Sequence, residues 1–196
     1  MDPELRNLMT SLGGTARTRD VRAAGLHPRD LYRARDAGDL MEVSRGVYRL
    51  AEEPLTEPDL VAVAMRAPKA LFCTLTALHL HGITEAIPHA VHVALPHGTH
   101  APSLHHPPLE VYHFSAVSFR AGQELRVIDG VEMHVTSPAK SVADAFKFRT
   151  RVGLDTAIDA LRQAIARRIA TPAEIDDMAR ACRVQRVMRP YLEALA

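Results

Sequence analysis

Tryptophan is absent from the 196 residues, aromatic residues make up only 5% and the cysteines number two, Cys73 and Cys182. Two distant cysteines without Cys-x-x-Cys spacing rule out a disulfide framework and a paired-thiolate zinc site. Both read as buried thiols of a reducing compartment. No apolar run approaches the roughly 20 residues that a membrane helix needs. The opening "MDPELRNLMTSLGG" lacks the basic-then-apolar order of a secretory signal, so a soluble cytoplasmic protein is expected. Glycine-rich phosphate loops are missing too: "GLHPRD" and "GGTART" follow neither G-x-G-x-x-G nor G-K-S/T. That excludes the common phosphate cradles of nucleotide-using enzymes.

Net charge is only +1, but it is unevenly spread. Residues 1–50 carry nine Arg/Lys and seven Asp/Glu, residues 51–136 four and nine, and residues 137–196 eleven and seven. Within residues 15–35 six arginines face only Asp20 and Asp30, a local +4. The acidic centre holds ten of the eleven histidines. By itself such clustering suits a small helical domain with a solvated Arg/Asp face as well as a DNA-binding surface, and the turn glycine and basic wing described next favour DNA.

The local signals in that end are consistent. Residues 3–12 place Leu5, Leu8, Met9 and Leu12 on one helical face, stopped by Gly13-Gly14. Thr18 is placed to cap a second helix, with Val21, Ala24 and Leu26 apolar and Gly25 at the turn that follows. Pro28 suits the first turn of a third helix, which ends near Gly38. With Leu31 facing inward, Ala34 falls beside it, Arg29, Arg33 and Asp36 fall opposite, and Tyr32 lies at the flank. "LMEVS" and "GVYRL" then form a small hairpin turning at Arg45-Gly46. Three helices and a hairpin make a winged helix-turn-helix, whose third helix enters the major groove while the wing meets the backbone or minor groove. Candidate DNA contacts are Arg17, Arg19, Arg29, Tyr32, Arg33 and Arg45.

"AEEPLTEP", residues 51–58, reads as a linker, giving a DNA-binding domain over 1–53 and a second domain over 58–196. In the second, helices are expected at 59–67 and 74–81, and strands at 91–95 and 109–114. A hairpin over 125–135 turns at Asp129-Gly130. From Ser137 onward the chain is helical, with a Thr171-to-Glu174 capping box and a last helix over 184–195, bent at Pro190. The fold class is therefore α+β: a winged helix followed by a mixed domain with a small sheet and a helical C-terminal part. A fragment of residues 58–196 is expected to fold alone and to lose DNA binding.

No catalytic constellation emerges. His79 and His81, two apart, point to different sides of a helix. His89, His92, His97, His100, His105 and His106 lie in or beside loops with no His-Glu-x-x-His or cysteine partner. Neither metal nor cofactor is expected. Ser137-Pro-Ala-Lys140 fits the Ser-x-x-Lys of acyl-serine hydrolases, but its companion motifs are missing and a serine before proline suits a helix start. Arg180, Arg183, Arg186 and Arg189 spiral along one side near the C-terminus, as a solvated face or a second partner surface.

Three stretches, "GLHPRDLYRARDAGDLMEVSRGVYRL", "ALFCTLTALHLHGITEAIPHAVHVALPHGTHAP" and "VTSPAKSVADAFKFR", together resemble the AbiEi antitoxin family of bacterial abortive-infection, phage-defence toxin–antitoxin operons. The resemblance implies an N-terminal winged helix that represses its own operon, probing double-stranded operator DNA, in the form of an inverted repeat, with Pro28–Ala37 and the wing tip Ser44–Gly46. It also implies a C-terminal α/β domain that counteracts a nucleotidyltransferase-like toxin, directly or indirectly, and no enzymatic activity. Two rivals remain: a stand-alone winged-helix transcription factor with a ligand-sensing second domain, and a His-dependent metal hydrolase or nuclease.

Overall fold

The computed structural model describes residues 1–52 and 55–195. Glu53 and Pro54, inside the segment expected as a linker, and Ala196, at the end of the expected second domain, lie outside the described residues. The chain forms two compact units, Met1–Arg66 with Val127–Glu132, and Ala67–Arg126 with Met133–Ala196.

The first unit runs α1 (Pro3–Ser11), β1 (Thr15–Arg17), α2 (Thr18–Ala23), α3 (Pro28–Asp36), β2 (Leu40–Ser44), β3 (Val47–Leu50) and α4 (Pro58–Arg66). Its three strands are antiparallel in the order β1-β3-β2. This is a winged helix. Asp2 caps α1 by accepting the N–H groups of Glu4 and Leu5. Gly25 and Gly38, both at φ +80°, let the chain leave α2 and α3 in a conformation that costs other residues energy. Leu5, Met9, Val21, Leu31, Ala34, Tyr48 and Leu50 close the core. Full burial of each leucine contributes about 1.5–3 kcal/mol.

Two local expectations change. Thr18 is not the cap of α2: Arg17 holds that position, and Asp20 accepts its N–H at 2.8 Å. Thr18 instead donates its N–H and hydroxyl to the Gly46 carbonyl, at 2.9 and 3.2 Å, tying the start of α2 to the wing turn. The expected boundary also shifts. Thr56 and Glu57 donate their N–H groups to Asp129, and α4 and residues 127–132 count with the first unit. A cut at residue 58 would divide that unit.

The second unit contributes β4 (Leu71–Phe72), α5 (Thr74–Leu80), β5 (Val91–Pro96), β6 (Leu109–Phe114) and α6 (Ala116–Arg120). The hairpin strands β7 (Gln123–Ile128) and β8 (Val131–Thr136) follow, with their tip assigned to the first unit. The sheet order is β6-β5-β4-β8-β7. Pairing is mixed: β4–β5 antiparallel, β4–β8 and β5–β6 parallel. Helices α7 (Pro138–Lys147), α8 (Arg149–Val152), α9 (Leu154–Ala166), α10 (Pro172–Cys182) and α11 (Gln185–Leu195) complete it. Ser137 caps α7, and the Thr171–Glu174 capping box starts α10. Pro190 lies inside α11. Val142, Ala145, Phe146, Leu161, Ile175 and Met188 are central to the helical core.

Candidate nucleic-acid interface

The candidate interface is built on α3. Its inward positions, Leu31 and Ala34, are buried at 0% and 3% exposure. Pro28 starts the helix, and His27 Nδ1 accepts the Arg29 N–H at 3.0 Å as a side-chain cap. That cap fixes the first turn, where a groove-reading helix needs its side chains set. Arg29 and Arg33, one helical turn apart, project outward. The Arg33 side chain is 73% exposed, with Asp30 at a loose 3.7 Å. Tyr32 is 42% exposed, its ring 6.2 Å from that of Tyr48 in β3. Arg35 lies over the Tyr32 ring at 5.7 Å while bonding Asp36 and Glu42, so it serves to position Tyr32 and the wing base.

The wing turn carries Arg45 outward, and Glu42 accepts the Gly46 N–H at 3.0 Å to hold it. Arg19 is 74% exposed with Asp20 at 3.6 Å. Arg17 stands apart from the other candidates: its side chain is only 23% exposed and bonds Glu132 at 2.8 Å. Among the described residues no carboxylate lies within ion-pair distance of Arg29 or Arg45. Sequence reasoning missed Arg22 and His27, which line an open concavity with Arg29 and Tyr32. Arg22 was present in the arginine count and His27 was not, and the turn at Gly25 decides which side each faces.

The second unit offers no comparable chemistry. Ser137 Oγ accepts the Lys140 N–H at 3.3 Å, and Lys140 Nζ turns away to Asp144 at 2.5 and 2.6 Å, so Ser-x-x-Lys is a helix cap beside a buried ion pair. Burial pushes the Cys182 thiol up to about 11 and Cys73 higher still, leaving both protonated and unreactive. Among the described residues no group of three or more His, Cys, Asp or Glu is placed to hold a metal ion. Among them, too, no helix is long and apolar enough to cross a membrane. The arginine series does not share one helical face: Arg183 is the left-handed cap that ends α10, Arg180 pairs with Asp176 and Asp177 on α10, and Arg189 pairs with Glu193 on α11.

His92 is the unusual group of this unit. Thr74 and Tyr112 hydroxyls lie 2.8 and 3.0 Å from its Nδ1, and Thr74 itself sits at φ +44°. Both contacts are to neutral hydroxyls, so the buried ring has no charged hydrogen-bond partner at Nδ1. Burial lowers its pKa from the ordinary 6.5 to about 4. The unfolded chain therefore binds a proton that the folded chain refuses between these values, and stability falls as pH drops through that window. His81, depressed by burial and by Arg126, adds in the same direction. Urea midpoints at pH 7 and pH 5 should show a smaller drop for His92→Gln than for wild type; equal drops would assign the acid sensitivity elsewhere.

Residues 4–51 match the family described as transcriptional regulator, AbiEi antitoxin. The N-terminal segment is thus similar to AbiEi-type regulators. The match spans α1 through β3, so every candidate DNA contact falls inside it. The later stretches that carried the resemblance in the sequence, "LTALHLHGI" and "TSPAKSVADAF", lie beyond it. No curated protein matches the chain. The crystal structure of the RV2827C protein from Mycobacterium tuberculosis is similar at 13% identity with a TM-score of 0.51, covering 98% of this chain and 80% of that one. At that identity the likeness is one of fold.

Proposed function

We propose that the AbiEi-type segment binds operator DNA upstream of its own operon and represses it, and that the second unit counteracts a nucleotidyltransferase-like toxin. The partners are thus an operator, read as an inverted repeat, and the toxin. The protein needs no metal, cofactor or catalysis of its own for either task. The observation that carries the reading is α3: Leu31 and Ala34 buried on one side, Arg29 and Arg33 exposed on the other, with Arg45 on the adjoining hairpin. In this arrangement Arg29, Tyr32 and Arg33 reach base edges or phosphates from the major groove, and Arg19 and Arg45 grip the backbone. The division of labour follows the two compact units.

The test is a titration of full-length protein with the duplex upstream of its coding region and with a random-sequence duplex. The upstream duplex should bind at least about a thousandfold tighter at physiological salt. Equal affinity for both would defeat the operator reading. Co-expression with the neighbouring toxin gene from an independent promoter should relieve growth arrest; persistent arrest with abundant soluble protein would defeat the antitoxin half.

A further inference from the structure

The first unit contains a piece supplied from far along the chain, residues 127–132. Its turn is fastened at several points. Asp129 accepts the N–H groups of Thr56 and Glu57 at 3.1 and 2.9 Å and lies 3.7 Å from Arg49, which donates to Thr15 at 2.9 Å. Burial pushes the Asp129 carboxyl upward, but the two amide bonds and Arg49 outweigh it and hold it below its ordinary value. Gly130 has φ +79°, and a Cβ there would stand 2.0 Å from Thr15 Cγ2 and 3.3 Å from Val47 Cγ1. Only glycine fits, so the turn lies tight against β1 and β3. Two residues on, this clamp presents Glu132 to Arg17 at 2.8 Å.

Arg17 occupies a telling position. It pairs in register with Val47, the residue after the wing turn. Its neighbour Thr18 bonds the Gly46 carbonyl. The Arg17 backbone therefore adjoins the wing turn, while its side chain lies on the sheet face of Thr15, Val47 and Arg49, where its guanidinium is occupied by a carboxylate. Resting on the DNA-binding reading above, we infer that Glu132 is an intramolecular competitor of the DNA backbone. It occupies Arg17 as a phosphate oxygen would, and it lowers the affinity of the wing side for DNA. A guanidinium–carboxylate pair and a guanidinium–phosphate pair use the same donors. Glu132 is 51% exposed and Arg17 23%, so the pair is partly solvated and its carboxylate can give way to a phosphate.

The experiment uses full-length protein, the upstream duplex, and a random-sequence duplex at low salt, read by fluorescence anisotropy across a salt series. Glu132→Gln and Glu132→Ala should each bind both duplexes about three- to fivefold tighter than wild type. Their salt dependence should steepen by about one phosphate contact. In an Arg17→Ala background the same Glu132 substitutions should change nothing. A silent pair of Glu132 variants would overturn the inference. So would a gain that persists undiminished without Arg17, since that would be a general charge effect. Arg29→Glu/Arg33→Glu on the same probes separates the two failures. If that variant loses binding while the Glu132 variants are silent, the interface reading stands and this inference falls. If wild type binds neither duplex, both fall.

Discussion

Lys140→Met is expected to destabilise the protein by about 3–5 kcal/mol, the cost of stranding a buried carboxylate. Lys140 and Asp144 are both fully buried, one helical turn apart on α7. The ammonium is held by both carboxylate oxygens and lies 4.4 Å above the Phe114 ring, and Cys182 Sγ stands 3.5 Å from Asp144 Oδ1. Burial presses the Lys140 pKa down, but Asp144 outweighs it and holds the ammonium above its ordinary value; burial in turn pushes Asp144 up. Attraction and desolvation are both large here, so the intact pair contributes little net stability and the broken pair costs much. Lys140→Met/Asp144→Leu should therefore recover most of the loss, with apolar groups of similar volume in place of the charges. Urea midpoints of the full chain at pH 7 decide it. A single variant as stable as wild type, or a double variant as weak as the single, would show that the pair does not behave as a mutually dependent unit.

The double reversal Arg29→Glu/Arg33→Glu should weaken binding to the upstream duplex at least about thirtyfold. Each lost base contact costs about 1–3 kcal/mol, and two add to a factor of that order or more. The fold should survive, because both side chains leave the surface of α3 opposite Leu31 and Ala34. Among the described residues, the ion pair disturbed is the loose one to Asp30. If the two arginines hold phosphates rather than base edges, affinity for random-sequence DNA falls alongside and the salt dependence becomes shallower. Gel shifts that match wild type at several salt concentrations would show that α3 is not the reading helix, whatever the fold.

Much of this protein is written locally. Gly25, Gly38 and Asp129-Gly130 mark their turns because only certain residues tolerate the left-handed backbone those turns require. Pro28, Ser137 and the Thr171–Glu174 box mark helix starts because they satisfy or forgo the first amides. The Leu31/Ala34 spacing alone sorts α3 into a buried side and an arginine side. Each signal acts within a few residues, so the sequence by itself determines the winged helix and the face it offers. Tertiary structure decides the rest. β1 and β4, of three and two residues, have too little pattern to announce themselves; they are strands only because β3, and β5 with β8, supply their partners. Thr18 carries a cap signal, yet the nearness of Gly46 redirects its hydroxyl to the wing. The Ser-x-x-Lys spelling says nothing of the depth at which Lys140 ends up. Nor does any local feature of Arg17 reveal that Glu132, 115 positions away, meets it. The position of a charge along the chain is local information, but its partner and its solvation are set by which distant segments the folded chain brings together.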